Sequence, residues 1–435
     1  MIEIFQIILF FHIFLLLLFL PLNVFSKSNF LNQNSLIDIG SLNLGINLNV
    51  LLFLSFLPIS VQVIQPYFIV FYLLFFLYNY RGNLISISKY LKSFWPLLII
   101  FFLFSVNMTS EIYLGWDAKY FYYIKSLFFY EEKTIFDLSQ FEYSNWHPHF
   151  GSYLWGFFWS LSFIQNEYFG RLFYLFLFCF SFFVISKISK KDEINIIIFI
   201  TLVFLFYEYE FFSGLQEILI FSILAILSKY FFLISNNIKK NNLFSLLLII
   251  FFSNILIWIK SEGVVYFFII FSLLIIQDQF SFKKRLYISA LFILLYLSKI
   301  IIDDISNLEN GQNVFYNFDY LLELNFQIIF DKLVNIIIWF FYYLSNNFFF
   351  AIFILLLLYQ KFYANEFFKN HKKYYLILKL YLFTIIMFII FAYVLRDMDI
   401  IYALRTTMDR LLMTASGFFI YPCLIFFRYY SKIKY

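Results

Sequence analysis

Long apolar windows, each bounded by charged or polar residues, recur along the chain. They fall near 4–22, 48–79, 93–108, 168–187, 194–212, 217–236, 243–259, 264–277, 286–303, 333–360, 375–395 and 411–427. A helix of about 20 apolar residues is long enough to cross a bilayer, and it satisfies its own backbone there. The pattern therefore predicts an all-α, polytopic transmembrane helix bundle of about 11–13 spans. Two windows are irregular. The 48–79 stretch contains Pro58 and Pro66, which predicts one kinked span or two short ones. The 333–360 stretch is interrupted by Ser345, Asn346 and Asn347, which predicts a partly interfacial segment. The first window, Phe5 to Leu22, lacks a basic leader and a small-residue cleavage site, so an uncleaved span is expected.

Composition points to the same solvent. Hydrophobic residues make up 63% of the chain and charged residues 13%, with a mean hydropathy of +0.85. Soluble domains are roughly half apolar and a quarter charged, so this chain could not hide its apolar surface from water. The 70 Phe and 35 Tyr are read as A/T-rich codon usage, so Phe runs carry little functional weight. Cys179 and Cys423 lie in apolar stretches, which leaves no disulfide framework or cysteine-based zinc site. The net charge of +5 is dispersed, without the basic block that nucleic acid binding requires.

Charge also divides the loops. Basic clusters occur at Arg81–Lys92, Lys187–Lys191, Lys239–Lys240, Lys283–Arg285, Lys361–Lys373 and Arg428–Lys434. All fall on one side if 145–165 lies along the interface instead of crossing, and basic loops mark the cytoplasmic side. That side holds about 18 of the 31 Lys and Arg, whereas about 20 of the 26 Asp and Glu fall opposite. Three regions result: N-terminal spans over 1–108, an outer loop with interfacial helices over 109–167, and a bundle with an outward-facing site over 168–435. Within the outer loop, Ala118–Tyr130 has helical spacing of apolar residues with Lys119 and Lys125 interposed, as in an amphipathic surface helix. A second outer segment is expected over Asp303–Asp331.

Five short constellations on the outer side carry candidate chemistry. Gly115-Trp116-Asp117 places an aspartate at the mouth of the bundle, where it can accept a proton, hold a cation or simply be solvated. Trp146-His147-Pro148-His149 offers two imidazoles, but i and i+2 do not share a helix face, so an interfacial turn is the default. Lys260-Ser261-Glu262-Gly263 joins two apolar windows, either as a surface turn or as charges that line a cavity. Glu208, Glu210 and Glu217 cluster around Ser213-Gly214. Finally, Asp397, Asp409 and Arg410 lead into the last window, where an arginine fork can hold a phosphate or carboxylate.

Taken in order, these segments resemble the GT-C superfamily of polytopic glycosyltransferases, with closest likeness to the protein-mannosyltransferase and aminoarabinose-transferase families. Trp116-Asp117-Ala118-Lys119-Tyr120 is similar to the W-D-x-x-x-Y of the first outer loop, with Tyr120 one position early and Tyr122 and Tyr123 as alternatives. His147-Pro148-His149-Phe150 is similar to H-P-P-L without its second proline. Gly214-Leu215-Gln216-Glu217 looks like a G-x-A-D turn, with Glu replacing Asp. Lys260-Ser261-Glu262-Gly263 fits K-x-E-G, and Thr407-Met408-Asp409-Arg410-Leu411-Leu412 fits T/S-x-D-R-L-L.

The resemblance implies transfer of a sugar from a polyprenyl-phosphate donor to a lipid, glycan or protein acceptor at the outer face, in a bacterial inner membrane. Asp117 would be the catalytic aspartate, or would help to hold a divalent metal (Mg or Mn). His147, Glu217, Lys260, Glu262, Asp409 and Arg410 would surround the substrates, with Lys260 or Arg410 neutralising the lipid phosphate. Two other classes compete. A transporter or flippase would show matching halves with broken helices at corresponding places. A surface-polysaccharide polymerase would concentrate arginines in a late outer loop, whereas this chain has only seven Arg.

Overall fold

A computed structural model of the protein describes residues 2–22, 34–78, 80–110, 113–140, 148–208, 212–236, 242–277, 279–308, 326–362, 369 and 371–431. The described chain is helical and contains no strand. The N-terminal group comprises α1 (Ile2–Phe19), α2 (Leu36–Ser55), α3 (Val61–Tyr78) and α4 (Tyr80–Ser110). A π-helical turn, Ala118–Tyr122, leads into the short helices α5 (Tyr123–Tyr130) and α6 (Phe150–Ser160). The remainder is α7 (Tyr168–Ile185), α8 (Asp192–Phe206), α9 (Glu217–Ser235), α10 (Asn242–Ile259), α11 (Ser261–Ile275) and α12 (Phe282–Ile305). It closes with α13 (Phe326–Leu344), α14 (Phe348–Phe362), α15 (Lys372–Val394) and α16 (Ile400–Tyr430). Ten of these are long and apolar enough to cross a membrane, and the chain is a multi-pass integral membrane protein.

The 48–79 window proves to be two full helices, because α2 begins twelve residues earlier, at Leu36. Its first half escapes a hydropathy reading because it carries Asp38, Ser41, Asn43 and Asn47, all buried. These polar groups have inward partners. Asn43 Nδ2 donates to the Leu18 and Phe19 carbonyls at 2.7 and 2.9 Å, and Asn47 Nδ2 to those of Leu17 and Leu20 at 2.6 and 2.9 Å. They satisfy the carbonyls that the end of α1 leaves open. Asp38 pairs with Lys229 at 3.2 Å and accepts from the Tyr230 hydroxyl at 3.0 Å.

Centre and periphery follow from burial. The apolar windows of α7 and α9 are wholly buried, and α16 packs along α9. By contrast, only 22% of the α3 window and 11% of the α12 window is buried. Their exposed apolar faces suit lipid, as expected for helices at the rim of such a bundle. Helix α6 has 11 residues, about 16 Å, so it does not cross. This agrees with the expectation for 145–165, although Phe150 through Trp159 are buried in protein instead of lying on a lipid surface.

Helix α13 lies at the periphery, with 11% of its apolar window buried, and is tethered near both ends. Lys332 Nζ donates to the carbonyls of Val394 and Arg396, each at 2.9 Å, where α15 ends. At its other end, the Tyr343 hydroxyl donates to the Arg405 carbonyl at 3.1 Å and Asn347 Nδ2 to Asp409 Oδ1 at 2.9 Å. Arg405 and Asp409 lie within the first turns of α16, about 15 Å or less from its start. Helix α13 is therefore tied along its length to the end of α15 and the first turns of α16, and the chain turns at Ser345–Asn347 into α14.

Candidate functional site

The polar groups singled out in sequence meet where α9, α11 and α16 share one end of the bundle. Glu217 is the first residue of α9, where open N–H groups and the helix dipole favour a carboxylate. Gly214 precedes it with φ +96°, a left-handed conformation, and a Cβ there would lie 2.8 Å from the Ala118 Cβ and the Trp155 ring. Lys260 sits in extended backbone in the break between α10 and α11. That break closes tightly on Gly263, where a Cβ would fall 1.9 Å from the Leu256 carbonyl oxygen. Arg410 lies on α16, and Asp117 enters from the loop after α4, immediately before the π turn.

These side chains form an alternating ionic chain. Asp117 accepts a hydrogen bond from Arg410 Nη1, a contact spanning 293 positions of sequence. The same Nη1 lies 3.1 Å from Glu217 Oε1. Lys260 Nζ then lies 2.8 Å from Glu217 Oε1 and 3.2 Å from Glu262 Oε1. Exposure grades along the chain: Asp117 and Arg410 side chains retain 24% and 20%, whereas Glu217 retains 5%. A buried charge persists only when paired, and each group here has a partner of opposite sign. Yet Glu217 Oε2 and Glu262 Oε2 are buried with no hydrogen-bond partner among the described residues. A cleft opens at this junction, lined by Glu217, Lys260, Glu262, Tyr266, Thr407 and Arg410. The buried Tyr122 stands beside it, and burial raises its phenol well above the usual range, with Lys260 opposing the rise.

Of the residues expected in the site, Asp117, Glu217, Lys260, Glu262 and Arg410 are brought together. Asp409 is not: its carboxylate accepts from Asn347 and ties the α13–α14 turn to α16. His147 lies outside the described residues, as do Glu210 and most of the Asp303–Asp331 segment. The neighbouring His149 is fully buried, with Nε2 2.9 Å from the Ser55 Oγ. That hydroxyl already donates to the Leu52 carbonyl at 2.7 Å, so His149 Nε2 carries the proton. Asp399 serves as the N-cap of α16, accepting from Ile401 and Tyr402 N–H groups at 2.8 and 3.2 Å. Tyr122 enters from sequence only as an alternative to Tyr120 in the Trp116-Asp117 segment, and Tyr266 and Arg171 carry no sequence expectation. The two tyrosines are lost among 35, while a lone arginine in a strongly apolar window is a signal that was there to be read.

Among the described residues, no three His, Cys, Asp or Glu side chains are grouped to hold a metal ion. One oxygen of the Asp117 carboxylate, Oδ2, is engaged by Arg410. Compared with protein-family models, curated proteins and solved structures, the chain matches none.

Proposed function

We propose that the protein is a GT-C-type membrane glycosyltransferase. It would move a sugar from a polyprenyl-phosphate donor to a lipid, glycan or protein acceptor at the outer face of a bacterial inner membrane. One observation carries this reading: two orphaned carboxylate oxygens, Glu217 Oε2 and Glu262 Oε2, border a cleft that also holds Arg410 and Lys260. Such a cleft suits a ligand that is anionic at one point and rich in hydroxyl donors at another, as a sugar phosphate is. Buried acceptors left open are costly, and sugar hydroxyls would satisfy them. The polar groups also gather at one end of the bundle, which favours surface chemistry over the mid-depth site of a transporter.

In this reading the guanidinium of Arg410 and the ammonium of Lys260 take up charge on the phosphate as it leaves. Cations placed where negative charge develops lower the barrier. The acceptor hydroxyl attacks the anomeric carbon while the carbon–oxygen bond to phosphate breaks. The bonding pair departs with the phosphate, and the hydroxyl proton passes to Asp117. Arg410 would turn from Asp117 toward the phosphate on binding, which frees the carboxylate to act as base. No step is assigned to a metal ion.

The test is transfer of labelled sugar from a polyprenyl phosphate in membranes. Asp117→Asn should lower the rate about 10²–10⁴-fold, the usual contribution of a general base, without loss of inserted protein. Full activity of that variant would remove Asp117 from the chemistry.

A further inference from the structure

The Asp117 loop and the Glu217 loop are about a hundred residues apart in sequence, yet one buried side chain fastens both. Arg171, near the start of α7, is wholly buried. Its Nε and Nη2 donate to Glu167 Oε2 and Oε1 at 2.9 and 2.6 Å, a two-pronged pair. Its Nη1 donates to the Phe212 carbonyl at 2.6 Å and to the Tyr113 carbonyl at 3.3 Å. Tyr113 stands four residues before Asp117, and Phe212 five residues before Glu217. The two loops also touch directly, through Gly115 N–H donating to the Ser213 carbonyl at 3.0 Å. Trp155 braces the arrangement: its ring lies 5.6 Å from the guanidinium, and its Nε1 donates to the Glu167 carbonyl at 2.9 Å.

A buried ion pair is a weak source of stability, since an apolar replacement of similar volume is often as stable. What an apolar side chain cannot do is hold two carbonyls from separate loops in one plane. We propose that Arg171, oriented by Glu167, is a positioning residue that sets Asp117 in register with Glu217. The role of that register in sugar transfer rests on the glycosyltransferase reading. Lysine cannot substitute, because an ammonium lacks the planar fork needed to reach Glu167 and both carbonyls. Arg410 and Lys260 have no bond to Arg171, so loss of the clamp should disturb the reaction geometry more than phosphate binding.

The experiment uses the full chain in lipid nanodiscs, with nitroxides on cysteines introduced at Trp116 and Glu208, one on each loop. Arg171→Lys should broaden and shift the 116–208 distance distribution. It should also lower kcat about 100-fold, the cost of a misplacement near 1 Å, while KM for the donor stays within about threefold. A distribution and kcat matching the parent would overturn the proposal, and so would a kcat loss with an unchanged distribution. Glu167→Gln covers the case in which the lysine variant fails to fold, since the guanidinium and its carbonyl bonds remain. It should broaden the distribution less and cost about tenfold in kcat; no change in either overturns the proposal. Failure of the glycosyltransferase reading looks different. Then no form transfers sugar, yet the distribution still broadens in Arg171→Lys and the registering role stands.

Discussion

Lys125 lies on a short helix expected to show its lysines to the surface, yet it is wholly buried. Burial lowers its ammonium to about 7, the Lys299 charge adds to the fall, and Asp303 opposes it. An unfolded chain keeps the ordinary lysine value of about 10.4. Between those limits the unfolded state binds the extra proton, so stability rises as pH increases from about 7 to about 10. Lys125→Met should flatten that rise, stabilising the protein at pH 6–7 and leaving it little changed near pH 10. Thermal unfolding in detergent across this range checks it, and identical pH profiles for the two proteins would refute it. The same surroundings hold His149 neutral, because burial and then Lys125 and Lys299 lower its imidazole well below the usual value. Sequence could show that Asp117, Glu217, Lys260, Glu262 and Arg410 were polar groups at the edges of apolar windows. It could not separate Asp409 from Arg410, since adjacent helical positions point about 100° apart and only the neighbours decide which faces the cleft.

At the scale of elements, charge marked some boundaries and not others, since α4, α12 and α16 run on through the charged residues that bound their apolar windows. Helices α7, α9 and α10 start within a residue of the sequence windows. The reading failed at α2, where buried asparagines serve the end of α1 and lower the hydropathy of a true helix. At 333–360 the interruption expected at Ser345–Asn347 does separate two helices, α13 and α14. The tethers of α13 yield a direct prediction. Cysteines introduced at Gln327, Asp331 and Asn346 should all react with an impermeant reagent applied from one side of sealed vesicles. A crossing α13 would split position 327 from position 346.

At the scale of the whole molecule, the proposed function rests on a one-sided gathering of acidic residues opposite the basic loops. Cysteines introduced at Asp117, Glu262 and Met398 should be labelled from outside, and one at Lys284 should not. A mixed pattern would dismantle the outward orientation proposed for the site. The described ion pairs agree with two distinct polar ends. One holds Asp117, Glu217, Lys260 and Arg410, and the other holds Lys187, which lies 3.1 Å from Asp192.

Sequence by itself determined the helical class, the lipid solvent and most span positions. Those depend on local quantities, namely apolar length and the hydrogen bonds a helix closes within itself. It also marked most of the residues that meet in the site, since charge at the edge of an apolar window is visible without a fold. Tertiary structure decided which charges meet. The Asp117–Arg410 contact, the orphaned oxygens of Glu217 and Glu262, the departure of Asp409 and the Arg171 clamp all depend on how α7, α9, α11 and α16 pack. Pairing across hundreds of residues is a property of that packing, and no local pattern encodes it.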